Sequence, residues 1–112
     1  MGQRGSGKGN IEDAVIHHQT LLPIKILFEN ISKRKIFGVY RPSAYIKETG
    51  TFFSTLRLDI FKKEIEPGES AVLTGLLESP AGFGHHLKTG AVLSIRSGLD
   101  EEGRGLILEI GH

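Results

Sequence analysis

The chain has 112 residues, of which 14 are Lys or Arg, 13 are Asp or Glu, and none is cysteine. This is enough for one domain that buries roughly two thirds of its unfolded surface, and it excludes a disulfide scaffold, a thiolate zinc site and a cysteine nucleophile. The near-neutral total hides an asymmetry: residues 1–47 carry eight basic and three acidic side chains, and residues 48–112 carry six and ten. Such a split points to an acidic or nucleic-acid partner if the halves stay apart in space, and to a mixed surface if strands distant in sequence become neighbours.

Residues 2–10 contain four glycines, Arg4 and Lys8 and no hydrophobic side chain and cannot bury anything. Ile11, Ala14 and Val15 keep helical spacing for only one or two turns, which leaves a short helix or an extra strand open over 11–22; residues 1–20 are expected to form a flexible tail ahead of a single domain over 21–112. The stretch from Gly2 to Gly9 nearly spells a phosphate-cradling loop. No strand precedes it, however, and Gly9 stands where that loop carries a magnesium-binding hydroxyl. No apolar run reaches the roughly 20 residues of a membrane span, and the N-terminus lacks the apolar centre of a secretory signal. A cytoplasmic protein without membrane contact is expected.

From Pro23 the pattern alternates. Ile24, Ile26 and Phe28 share one face of an expected strand, with Lys25 and Glu29 opposite and Leu27 as an exception. Residues 30–35 read as a polar loop ending in the basic run Lys33, Arg34 and Lys35. Extended segments follow at 43–47, 51–60, 70–77, 91–97 and 106–110, separated by the turn formers Glu48-Thr49-Gly50 and Pro67-Gly68 and by a long loop over 79–90. Six strands without a long helix predict an all-β fold, and a closed barrel is preferred because closure removes exposed edges.

Chemistry-bearing residues are sparse. His17-His18 and His85-His86 are adjacent pairs whose side chains diverge on a strand, so each pair would give a metal about one ligand. Asp100-Glu101-Glu102 read as a charged hairpin tip, and no Gly-x-Ser-x-Gly turn is present. The chain is therefore read as noncatalytic, with no cofactor and no metal. Phe83, set between Gly82 and Gly84, is either an exposed anchor for a partner or a plug over one barrel end.

Tyr40-Arg41-Pro42-Ser43-Ala44-Tyr45-Ile46, then Pro67-Gly68-Glu69, Ser79-Pro80 and Ile95-Arg96, recur in this order in one family. Over residues 23–110 the chain resembles the C-terminal β-barrel of elongation factor Tu and related translation GTPases, here as a standalone module. The resemblance implies a six-stranded closed Greek-key barrel, no catalysis, and contacts with a GTPase or translation factor or with the T arm of tRNA. Carried over by position, it makes Lys33, Arg34, Lys35, Arg41, Gly103 and Arg104 the candidate RNA-binding or partner-binding residues. Gly105 falls in the same glycine-bearing hairpin. Two departures bear on this: three acids beside that hairpin oppose phosphate binding, and the loop before Arg96 is about four residues longer than the family pattern. A protein-interaction module is thus the first expectation, and an RNA-binding module contacting tRNA or other structured RNA through the Lys33 to Arg41 side is the alternative.

Overall fold

A computed structural model describes residues 21–50 and 53–111. The expected tail over 1–20 and the pair His17-His18 lie outside the described residues. Seven strands are present: β1 (Leu22–Asn30), β2 (Ile36–Tyr40), β3 (Ser43–Ile46), β4 (Phe53–Ile65), β5 (Ser70–Leu77), β6 (Val92–Ser97) and β7 (Asp100–Ile110). A 3-10 helix, Pro80–His86, lies between β5 and β6. No helix among the described residues is long and apolar enough to cross a membrane.

Six strands close into an antiparallel ring in which β4, β3, β6, β7, β1 and β5 follow one another and β5 returns to β4. Within it β3, β4 and β5 are sequential neighbours, and β6 comes back beside β3, which is the Greek-key order. The expected closed all-β barrel is what forms. The seventh strand, β2, was not among the expected six: it pairs with β4 on the side that β3 uses, so β2 and β3 are one long strand broken at Arg41-Pro42. Pro42 has no N–H to give a ladder, while its carbonyl accepts the Leu56 N–H at 2.9 Å and keeps the two pieces on β4.

Strand alternation places the core. Ile24, Ile26 and Phe28 of β1 are buried, as are Leu56, Leu58 and Ile60 of β4, and they meet Ala44, Ile46, Leu77, Leu93, Ile95 and Ile107 inside the ring. Burying each large aliphatic or aromatic side chain contributes about 1.5–3 kcal/mol. The glycines of β7 fit this filling. A Cβ on Gly103 would collide with the edge of the Phe28 ring and sit 2.9 Å from the Glu29 carbonyl oxygen, so the wide ring on β1 requires a bare backbone opposite it.

The connection between β4 and β5 is a turn in which Pro67 holds the second position and Gly68, at φ +87°, the third. The Glu69 N–H donates to the Glu66 carbonyl at 2.9 Å, and the Glu69 carboxylate accepts the Glu66 N–H at 2.8 Å. Each member of the Pro-Gly-acid signature therefore has a local role: a preset φ, a positive φ and a hydrogen-bond acceptor. Asp100, Glu101 and Glu102, by contrast, are not a hairpin tip. The tip is Gly98-Leu99, with Ser97 opposite Asp100, and the three acids form the first part of β7.

Candidate protein interface

The basic run follows Asn30, whose buried side chain shapes the loop. Its carboxamide nitrogen donates to the carbonyls of Arg34 and Ile65, each at 2.8 Å, and its oxygen accepts the Ser32 N–H at 2.9 Å and the Ser32 hydroxyl at 2.7 Å. This turns Arg34 toward β7, where its guanidinium holds Glu102 through two bonds, Nε at 3.1 Å and a terminal nitrogen at 3.0 Å. The Tyr40 hydroxyl donates to the same carboxylate at 2.6 Å. Burial opposes ionisation of Glu102, but the bonds from Arg34 and Tyr40 and the Arg34 charge outweigh it, leaving its pKa below the usual carboxylate value. For Tyr40, burial and then the bond to Glu102 push the pKa well above that of a free phenol.

The other predicted residues are placed as follows. Lys35 pairs with Glu64 at 3.4 Å, and Arg41 takes Glu78 in a bidentate pair whose shortest bond is 2.7 Å. Arg104 is exposed on β7 opposite Glu29 and Ser94. Gly103 lies opposite Asn30, so the fold does gather the basic loop and this part of β7, but Gly103 is buried against Phe28 and offers no surface. Phe83 is fully buried with the 3-10 helix folded over it. It is the plug rather than an exposed anchor, because the helix carries the ring into the core. His85 and His86 stack on each other at a ring distance of 4.1 Å, and the described residues contain no group of three or more metal-ligand side chains.

The charge asymmetry of the sequence is cancelled by the closure of the ring. Of the six basic side chains among residues 21–47, Lys25 pairs with Glu109, Arg34 with Glu102, Lys35 with Glu64, Arg41 with Glu78 and Lys47 with Glu101. Every acid in that set belongs to residues 48–112. Lys33 alone of the six has no ion pair among the described residues.

A different surface stands out, and the sequence reading did not select it. The ribbon formed by β2 and the second half of β4 buries Ile36, Tyr40, Leu58, Ile60 and Ile65 on its inner side and exposes Phe37, Val39 and Phe61 on its outer side. Phe61 is 72% exposed and Phe37 62%. Register explains their proximity: Gly38 faces Ile60 and Val39 faces Asp59, whereas Ile36 faces Ile65, so residues 61–64 form a bulge opposite Phe37. The bulge carries β4 away from β5, whose pairing with β4 stops at Leu58 and Gly75. A groove of about 440 Å³ opens there, lined by residues 59–65 and 69–74, with Val72 exposed on its far side. Large apolar side chains gathered on a monomer's surface mark contact sites rather than chance exposure, and bulges recur where a strand re-aims its side chains.

No family model and no curated protein matches the chain. What the fold defines is an all-β protein, a closed six-stranded antiparallel barrel with one additional strand.

Proposed function

We propose that this barrel is a noncatalytic protein-interaction module that docks a partner on the outer face of the β2–β4 ribbon. The observation that carries this reading is the exposure of Phe37, Val39 and Phe61 together on one two-stranded ribbon beside an open groove. Aromatic side chains are enriched at protein contacts, where a few central residues dominate the cost of truncation. The resemblance to a translation-factor barrel makes a GTPase or another translation factor the expected class of partner.

The alternative, an RNA module working through the Lys33 to Arg41 side, has less support. Phosphate binding draws its affinity from cations free to replace counterions. Five of the six basic side chains among residues 21–47 already face carboxylates, two of them in bidentate arginine pairs. An RNA backbone would have to compete with each.

Site-specific photo-cross-linking in the source cell tests the proposal. A photoreactive phenylalanine analogue at position 37 or 61 is expected to trap a discrete protein, and the same group at Leu27 or Val92, which are exposed outside the ribbon, is expected to trap none. Equal trapping from all four positions, or trapping of RNA in place of protein, would overturn it.

A further inference from the structure

The groove beside the ribbon has a feature that an apolar patch alone lacks. Over residues 70–74, β5 is hydrogen-bonded to β1 on one side, while its pairing with β4 on the other side ends at Gly75. Among the described residues its second edge therefore has no ladder partner for five residues, and the β4 bulge holds the neighbouring strand away from it. Backbone N–H and C=O groups along an unpaired edge form a template for another strand, and native folds commonly cover or blunt such edges.

We propose that this seam receives an extended segment of a partner protein, which adds as a strand to the free edge of β5. The inference rests on the protein-interaction reading above and specifies how the partner is held. The side chains around the edge define the segment. Ile60, Ala71 and Leu73 form an apolar floor, and Phe61 and Val72 stand at the rim, which selects a segment with apolar residues at alternate positions.

Charge makes the selection narrower. Four of the five charged side chains lining the groove are already matched within the chain: Asp59 with Arg57, Lys63 with Glu69, and Glu64 with Lys35. Lys62 is the exception, an exposed cation on the bulge with no ion pair or hydrogen bond among the described residues. The complementary segment thus carries an acidic side chain between its apolar ones.

The probe is a capped peptide of about eight residues, long enough for one strand, with Val at alternate positions and Glu and Thr between them. It is titrated into the isotopically labelled full chain while amide shifts and exchange rates are followed. Shifts and slowed exchange confined to residues 59–64 and 70–74 are expected. A companion peptide with the same side chains but N-methylated at its central residues should bind at least about tenfold more weakly, because it cannot give the ladder its donors. Lys62→Glu, on an exposed side chain, should weaken the Glu-bearing peptide by a similar factor and leave the fold unchanged.

No shift at millimolar peptide, or equal affinity of the N-methylated peptide, overturns strand addition. In the first case the bulge and its lysines only guard the edge. Protection of residues 70–74 that grows with protein concentration in the absence of peptide also overturns it, by assigning the seam to a second copy of the chain. If the peptide fails while cross-links from positions 37 and 61 persist, the docking face stands and its strand-addition mode falls. If both fail, the interaction reading falls with it.

Discussion

The carboxamide of Asn30 donates to the carbonyl oxygen of Ile65 at 2.8 Å, joining the end of β1 to the far end of β4. Both residues are buried, and the same side chain also fixes the Arg34 carbonyl and Ser32. Asn30→Ala removes the donor to the buried Ile65 carbonyl and unties the part-buried loop at Ser32 and Arg34, and a loss of about 1–3 kcal/mol in unfolding free energy is expected. Asn30→Asp is expected to cost more, since it places a carboxylate oxygen against two carbonyls. Urea titration of the three proteins checks the order, and equal stability of Asn30→Asp and wild type would refute it.

Titration of the Tyr40–Glu102 pair limits stability at both ends of the pH scale. Glu102 ionises more readily in the folded chain, so its contribution is present above the unfolded carboxylate value and is lost as pH falls through the lower folded one. Tyr40 is held protonated, so its contribution is present below the unfolded phenol value near 10 and is lost as pH rises toward the higher folded one. Thermal midpoints recorded against pH should therefore fall on the acid side for wild type and less steeply for Glu102→Gln. On the alkaline side above about pH 10, Tyr40→Phe should flatten the decline.

Two glycines of one strand should respond differently to the same change. At Gly103 an added methyl meets the Phe28 ring, with its Cζ at 2.7 Å, and Gly103→Ala is expected to cost about 1–3 kcal/mol through overpacking. At Gly105 the nearest atom is the end of a flexible side chain, Ile26 Cδ1 at 3.3 Å, so Gly105→Ala should cost clearly less. Denaturation midpoints that rank the two variants the other way would show that the packing of β1 on β7 is not as described.

Within the basic loop, Lys33 and Arg34 separate surface charge from structure. Lys33→Glu changes an exposed cation with no ion pair among the described residues and should leave the unfolding free energy within about 0.5 kcal/mol of wild type. Arg34→Glu sets a second carboxylate beside Glu102 and Tyr40 and should lower it measurably. Titration into labelled tRNA at two salt concentrations completes the comparison. Weak binding that does not depend on Lys33 is expected, whereas salt-sensitive binding abolished by Lys33→Glu would favour the RNA alternative.

Much of the barrel could be read from single strands, because Ile24, Ile26 and Phe28, or Leu56, Leu58 and Ile60, alternate with polar neighbours. The strand β2 could not be read this way. Its outer positions, Phe37 and Val39, are as apolar as its inner ones, which erases the period of two that marks a half-buried strand. The acids of β7 misled for another reason: their partners Lys47, Ser94, Arg34 and Tyr40 come from other strands and loops and are invisible in local sequence. The same holds for the candidate interface. Phe61 reads as one apolar residue in a charged run until the bulge against Phe37 sets the register of the ribbon.

The central claim is that the outer face of the β2–β4 ribbon binds a partner, and the affinity of that partner, once trapped by cross-linking, for the double variant Phe37→Ser, Phe61→Ser tests it most directly. Both side chains are exposed, so the thermal midpoint should hold while the dissociation constant rises at least about thirtyfold, as truncation of central aromatic contacts entails. An unchanged dissociation constant with an intact fold would contradict the account.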